Sequence, residues 1–420
     1  MQIESVLATP GVSGFYFDDQ AAIAEGAGRD GFVYEGNPVT AGFDRVRQPG
    51  ESLIVTLALS DGSTVRGDCA AVQYSGAGGR DPLFRAAEYV DLVEGPIADE
   101  LRGRDAAAFG ANTATIESPS PDGGRLHTAV RYGLSQALLA AAARAERTTM
   151  TDVVANTVDT TPATQPIPVF GQSGDDRYVN AEKMLLSGVP VLPHGLFNTR
   201  EKVGPSGDGL LEYVEWLRDR TDELGPTEYE PTFHLDVYGT IGDLFGPPFD
   251  RDRVIEYFGD LEAAAQPYDI QIEGPIDAGS REAQLSAMAE LREGLADAGV
   301  DVDIVADEWC NTLADVKAFV DAGAADVVQV KTPDLGGLQR SAAAVTYCDG
   351  TDTRAYLGGT CNETATSARA TAHVALATDA AQVLAKPGMG FDEGYMLVEN
   401  EMRRTVSVRR HAKSGVPADD

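Results

Sequence analysis

Asp326-Val327-Val328-Gln329-Val330-Lys331-Thr332-Pro333-Asp334-Leu335-Gly336-Gly337 is the stretch whose reading decides the fold. Val327, Val328 and Val330 surround Gln329, a strand composed for burial on both faces. Successive strand side chains face opposite ways, so Gln329 and Lys331 share one face while Val328 and Val330 share the other. Pro333, Gly336 and Gly337 then end the strand. A lysine at the last turn of a buried strand is costly unless something there requires it. Taken alone, Lys331 reads as a side chain whose stem reaches out to solvent. The carboxylates on the preceding strands change that reading.

Working outward, strand-like runs recur at 167–170, 189–192, 232–237, 270–272, 303–305, 327–330, 354–357 and 382–385. Helical patterns lie between them, at 209–220, 281–298, 313–322 and 364–377. Eight strands alternating with helices over about 220 residues predict a (β/α)8 barrel rather than an open doubly wound sheet.

In front of the barrel, 53–59 and 64–74 read as strands joined by the hairpin signal Ser60-Asp61-Gly62-Ser63. Ser75-Gly76-Ala77-Gly78-Gly79-Arg80-Asp81-Pro82 follows. It lacks the Lys-Ser/Thr ending of a phosphate-binding loop and is expected to form a mobile flap. Val130, Leu134, Leu138 and Ala141 recur at helical spacing within 126–147, and packing of one apolar face explains them. The polar, proline-bearing stretch 148–168 reads as a boundary. The expected fold class is therefore α/β, a barrel (166–412) preceded by a smaller α+β capping domain (1–165), with a disordered tail (413–420).

The 420 residues carry 33 basic and 66 acidic groups, a net charge of −33, and only six of the basic groups are lysines. Phosphate contacts need cationic surface, so nucleic acid and anionic membrane are excluded as partners. Such acidity is read as adaptation to high salt, where a short Debye length screens self-repulsion. Cys69, Cys310, Cys348 and Cys361 have no metal-ligand or CxxC spacing and suit a reducing compartment without disulfides. Met1-Gln2-Ile3-Glu4 begins no signal peptide, and no window approaches eighteen apolar residues, so a soluble, cytoplasmic protein is expected.

In a barrel, the strand carboxyl ends carry the chemistry. The second strand ends Pro193-His194-Gly195, the third passes through His234-Leu235-Asp236, the fourth ends at Ile272-Glu273 and the fifth at Ala306-Asp307-Glu308. Each acid taken singly reads as a solvated strand end or helix cap. Asp236, Glu273 and Asp307 converging on one rim repel strongly unless a cation sits among them, and an oxygen-ligated Mg2+ resolves that repulsion. A divalent cation and burial would lower the pKa of Lys331, whereas the acids would raise it. Metal and lysine together suit proton abstraction next to a carboxylate.

The pattern of metal acids on strands three to five, a lysine on strand six and a small domain in front resembles the enolase superfamily. Within it, the chain resembles the methylaspartate ammonia-lyase family over nearly its whole length. The resembling segments are Pro193-His194-Gly195, His234-Leu235-Asp236-Val237-Tyr238-Gly239-Thr240, Ile272-Glu273-Gly274-Pro275, Ala306-Asp307-Glu308-Trp309, Gln329-Val330-Lys331-Thr332-Pro333-Asp334, Gly358-Gly359-Thr360-Cys361-Asn362-Glu363 and Lys386-Pro387-Gly388-Met389-Gly390. Muconate-type relatives carry a lysine where this chain has His194, and mandelate-type relatives a His-x-Asp pair where it has Gly359-Thr360-Cys361.

The resemblance implies reversible elimination of ammonia from 3-methylaspartate to give mesaconate. Mg2+ would hold the 4-carboxylate, Lys331 would remove the C3 proton, and His194 would serve as the opposite acid–base. It implies Gln73 against the amine, Gln172 and Gln329 as donors to carboxylate or amine, and a carboxylate cradle at Thr360 and Cys361. Phe170, Tyr356, Leu384 and Met389 would wall the methyl pocket; each by itself reads equally as core. Cys361 is not expected to be a nucleophile. His127, His234, His373 and His411 read as structural, with a supporting role open to His234. A homodimer and activation by K+ follow from the family only. Two alternatives are another enolase-superfamily lyase or isomerase acting on a related carboxylic acid, and a non-catalytic metal-binding scaffold.

Overall fold

The computed structural model describes residues 1–74, 76, 79–117, 125–246 and 249–414. Ser75, Ala77 and Gly78 of the expected flap, and residues 415–420 of the expected tail, lie outside the described residues. The last helix, Phe391–Ser414, runs two residues into that tail.

The N-terminal part is built on a three-stranded antiparallel sheet of Ile3–Asp18, Arg47–Leu59 and Thr64–Cys69, with Arg47–Leu59 central. The long first strand was not anticipated. Pro10, Gly11 and Gly14 interrupt its alternation, and its pairing with Arg47–Leu59 carries register shifts between Val12 and Tyr16. The third strand stops at Cys69 rather than running on to residue 74. Helix Thr128–Glu146 packs on the sheet and is buried almost all round, not on one face, with Arg131 paired to Glu117 at 2.7 Å. Gly67 and Gly133 allow this approach, since a Cβ on either would overlap the backbone of the other element.

The expected boundary stretch begins as a helix, Met150–Val158, capped by the Thr149 side chain. Its Met150, Val153, Val154 and Val158 keep a helical apolar period that the neighbouring prolines obscured.

Beyond it, eight parallel strands close into a barrel: Val169–Phe170, Val191–His194, Thr232–Asp236, Ile270–Glu273, Asp303–Ala306, Val327–Val330, Arg354–Leu357 and Gln382–Leu384. The expected strands are all present, with ends moved by one or two residues. The second shifts most, because Leu192-Pro193-His194 belongs to the strand itself. Helix Arg281–Ala298 has the expected bounds. No helix among the described residues is long and apolar enough to cross a membrane.

Candidate active site at the barrel rim

Register places the acids. Asp236 stands opposite Glu273 between the third and fourth strands, Glu273 stands opposite Val305, and Asp307 follows Val305 on the same face. Their ligand oxygens lie within 4.8 Å of one another, and all three side chains are buried. Burial and the charges of Glu273, Glu308 and Asp307 hold the Asp236 carboxyl well above the usual range. Asp307 is likewise raised, by burial first, while Lys331 works against it. Glu273 goes the other way: burial pushes it up, but bonds from His234 and Tyr356 outweigh this and bring it to about 2. Three crowded oxygen donors of this kind fit a hard divalent cation such as Mg2+, whose charge removes their mutual penalty.

Glu273 is held from beneath. His234 Nε2 lies 2.8 Å and the Tyr356 hydroxyl 2.7 Å from its Oε2, and Gln329 Nε2 donates to its Oε1. The supporting role left open for His234 is thus a direct bond to a candidate ligand. The Phe170 ring stacks on His234 with centroids 4.1 Å apart. Phe170 thus packs on His234 and also lies 5.6 Å, between centroids, from His194. It is fully buried under the rim, because the pleat turns it inward beside His234.

Lys331 Nζ lies 2.7 and 2.8 Å from the two oxygens of Asp307. Burial lowers the Lys331 pKa, yet Asp307, Asp334 and Glu308 outweigh it, so the ammonium is held above the ordinary lysine value. On the second strand, diametrically opposite the sixth in an eight-strand barrel, His194 takes φ 66°. Left-handed backbone is uncommon for a non-glycine residue and marks strain kept at a site. Its Nε2 lies 3.4 Å from Asp236, and its buried Nδ1 has no partner. Burial depresses the imidazole to about 4, leaving a neutral ring.

A cavity of about 1130 Å3 opens over these groups, and Gln73, Gln172, Gln329, Tyr356, Thr360, Cys361, Leu384 and Met389 all line it. Two of them, Gln172 and Gln329, differ from the expected donor roles. Gln172 spends its amide nitrogen on the carbonyls of Ala385 and Gly388, both at 2.9 Å, so it offers its oxygen rather than a donor. Gln329 likewise commits its nitrogen to Glu273, and its buried oxygen has no partner. Tyr356 is fully buried, its hydroxyl engaged below. The glycines before Thr360 serve packing from behind: a Cβ on Gly358 would sit 2.6 Å from Gln329, and one on Gly359 would overlap Lys386. The Cys361 thiol is pushed up to about 12, chiefly by burial, which favours the protonated form.

Sequence reasoning missed several groups. Glu308, raised to about 7 by burial and by Asp307, lines the cavity beside the acids; its place directly after Asp307 was the available signal. Arg80, in the expected flap, pairs with Asp334 at 2.7 Å and so ties that loop to the turn after Lys331. Arg47 also lines the cavity, paired to Asp18 at 2.6 Å, and nothing in the sequence signals either. The remaining histidines bear out the structural reading where they are bonded: His127 to the Pro82 carbonyl and His373 to Thr151 and Glu401.

The chain matches the methylaspartate ammonia-lyase family twice, its N-terminus over residues 1–159 and its C-terminus over 161–411. It is 69% identical to the methylaspartate ammonia-lyase of Haloarcula marismortui, covering 100% of both chains. It is similar to the magnesium complex of β-methylaspartase from Clostridium tetanomorphum at 51% identity and a TM-score of 0.93, over 98% of this chain and 100% of that one. The Citrobacter amalonaticus methylaspartate ammonia lyase containing (2S,3S)-3-methylaspartic acid matches at 51% identity, TM-score 0.95, over the same shares. A muconate lactonizing enzyme from Pseudomonas fluorescens shares the fold at 17% identity and a TM-score of 0.59, covering 89% of this chain and 84% of that one.

Proposed function

This chain belongs to the methylaspartate ammonia-lyase family, and we propose that it catalyses the reversible elimination of ammonia from 3-methylaspartate, giving mesaconate. The observation that carries the reading is one rim bearing three buried carboxylates, with Lys331 on Asp307 and His194 across the barrel.

Asp236, Glu273 and Asp307 would hold the cation, consistent with the magnesium complex of the Clostridium relative. Bound Mg2+ supplies positive charge that offsets the carboxylates around Lys331 and takes up charge developing on the substrate carboxylate. Lys331 receives the C3 proton, the freed pair forms the C2–C3 double bond, and the C2–N bond breaks as ammonia leaves. His194, with a free Nδ1 and a neutral ring, exchanges a proton from the opposite face. The Gln172 and Gln329 oxygens accept from the substrate ammonium, and the Thr360–Cys361 backbone receives a carboxylate. Tyr356, Leu384 and Met389 close on the methyl group, a contact worth about 1–3 kcal/mol of discrimination against aspartate.

The division near residues 159–166, a homodimer and a cytoplasmic setting belong to the same proposal. The family match supports the division, four free buried cysteines support the setting, and the homodimer is carried over from the family resemblance only. K+ activation rests on family resemblance alone.

The test is the ultraviolet absorbance of mesaconate formed from 3-methylaspartate with Mg2+, alongside Lys331→Ala. Metal-dependent product that the variant abolishes supports the reading. No product from folded, Mg2+-binding protein overturns it.

A further inference from the structure

Gln73 approaches the cavity from the N-terminal part, and a primary amide there can turn either its oxygen or its nitrogen to a substrate. We infer that Asp18, clamped by Arg47, fixes which end of the Gln73 amide serves the cavity, and thereby makes the leaving-group position selective for an N–H donor. This rests on the lyase reading above and deepens it.

Asp18 closes the first strand of the N-terminal sheet and pairs in register with Arg47 on the second. Their side chains are 1% and 8% exposed and form a fork: Nε to Oδ1 at 2.7 Å and Nη2 to Oδ2 at 2.6 Å. Such bidentate pairs fix geometry as well as adding energy. The guanidinium is held in turn. Its carbon lies 4.6 Å from the Phe32 ring centroid and 4.9 Å from that of Tyr34, and Nη1 donates to the Phe32 carbonyl at 2.9 Å.

Asp18 holds Gln73 twice, once through its backbone and once through its rigid carboxylate. The Asp18 backbone N–H donates to the Gln73 carbonyl at 3.0 Å, and Gln73 Nε2 donates to Asp18 Oδ2 at 2.6 Å. A carboxylate only accepts, so the amide nitrogen must face Asp18. The protonated Cys361 thiol agrees from the other side, donating to Gln73 Oε1 at 3.3 Å. Gln73 is thereby locked with its oxygen turned to the side where Cys361 lines the cavity. The second lone pair of that oxygen welcomes an ammonium or amine hydrogen and repels a carboxylate oxygen.

Asp18→Asn breaks the lock without changing shape. Its new NH2 must face either Arg47 Nε or both Arg47 Nη2 and Gln73 Nε2, and in the second case turning Gln73 over relieves the clash with Gln73.

The experiment is the addition of ammonia to mesaconate with Mg2+, comparing wild type, Asp18→Asn, Gln73→Ala and the double variant. The expected result is a kcat/KM for ammonia lowered about tenfold to a hundredfold in Asp18→Asn, the scale of one charged hydrogen bond. KM for mesaconate holds within about threefold, and Asp18→Asn adds nothing on the Gln73→Ala background, since the two act as one unit. Asp18→Glu, keeping a carboxylate, recovers part of the loss. Arg47→Lys, which keeps the charge but not the fork, gives the same ammonia-selective loss should Asp18→Asn fail to fold. Equal losses for ammonia and mesaconate, or effects of the two variants that multiply, overturn this inference alone. A wild type that adds no ammonia overturns it together with the lyase reading.

Discussion

Lys386 and Glu363 are both fully buried and lie 2.9 Å apart, in the wall that joins barrel to cap. The ammonium also donates to the Gly358 carbonyl at 2.6 Å and to Thr332 Oγ1 at 3.2 Å, so its three hydrogens have three acceptors. Glu363 takes Thr332 Oγ1 at 3.1 Å and the Tyr132 hydroxyl at 2.8 Å besides. Lys386→Met removes the cation and leaves Glu363 buried among two hydroxyls. Breaking one side of such a pair costs about 3–5 kcal/mol. At about 2–4 °C per kcal/mol for a domain of barrel size, Tm should fall by about 6–20 °C. Lys386→Met with Glu363→Leu removes both charges and should recover most of that loss, since apolar replacement of a whole buried pair is often neutral. The double variant should still lose turnover, because Thr332 adjoins Lys331 and Gly358 backs Gln329. The measurements are circular-dichroism melts and mesaconate absorbance on all three proteins. A single-variant loss below about 1 kcal/mol, the scale of an ordinary hydrogen bond, would refute the reasoning, as would a double variant no more stable than the single.

His234→Ala removes the bond that orients Glu273, so Mg2+ affinity measured by titration calorimetry should fall about 10- to 100-fold. Glu401 feels burial pushing it up, but His373 and Arg404 outweigh this and hold it to about 2, below the ordinary 4.5. Its contribution is therefore complete above 4.5 and lost as pH falls toward 2. The Tm gap between wild type and Glu401→Gln should narrow as pH falls from about 5 to about 2. With a net charge of −33, Tm should rise on going from about 0.1 M to 2 M KCl as screening shortens the range of self-repulsion; a flat response would remove the high-salt reading.

The barrel was legible because its strands are short, β-branched and punctuated by Pro and Gly, and the acid trio because each acid sits at such a strand's end. The strand Ile3–Asp18 was illegible for the opposite reason: prolines and glycines break its period, and it is held by pairing with Arg47–Leu59. Site residues on the rim could be placed from strand phase, but not the direction of their hydrogen bonds. Gln172 and Gln329 line the cavity as expected, yet their nitrogens are spent on Ala385, Gly388 and Glu273, partners set by barrel closure. Asp18 reaches Gln73 across 55 positions, and Lys386 stood in a quoted motif without a role, since the sequence could not show what lay opposite.

The cavity draws its proposed proton-transfer groups and candidate ion ligands from the barrel, and Gln73 from the segment that follows the sheet in front. The two duties can therefore be edited apart. Grafting a different end onto the strand Ile3–Asp18 and the segment around Gln73 would redesign which nitrogen nucleophile is admitted, while the carbon acid is still deprotonated by an untouched apparatus. Libraries confined to those two segments would explore amine scope without gambling on catalysis.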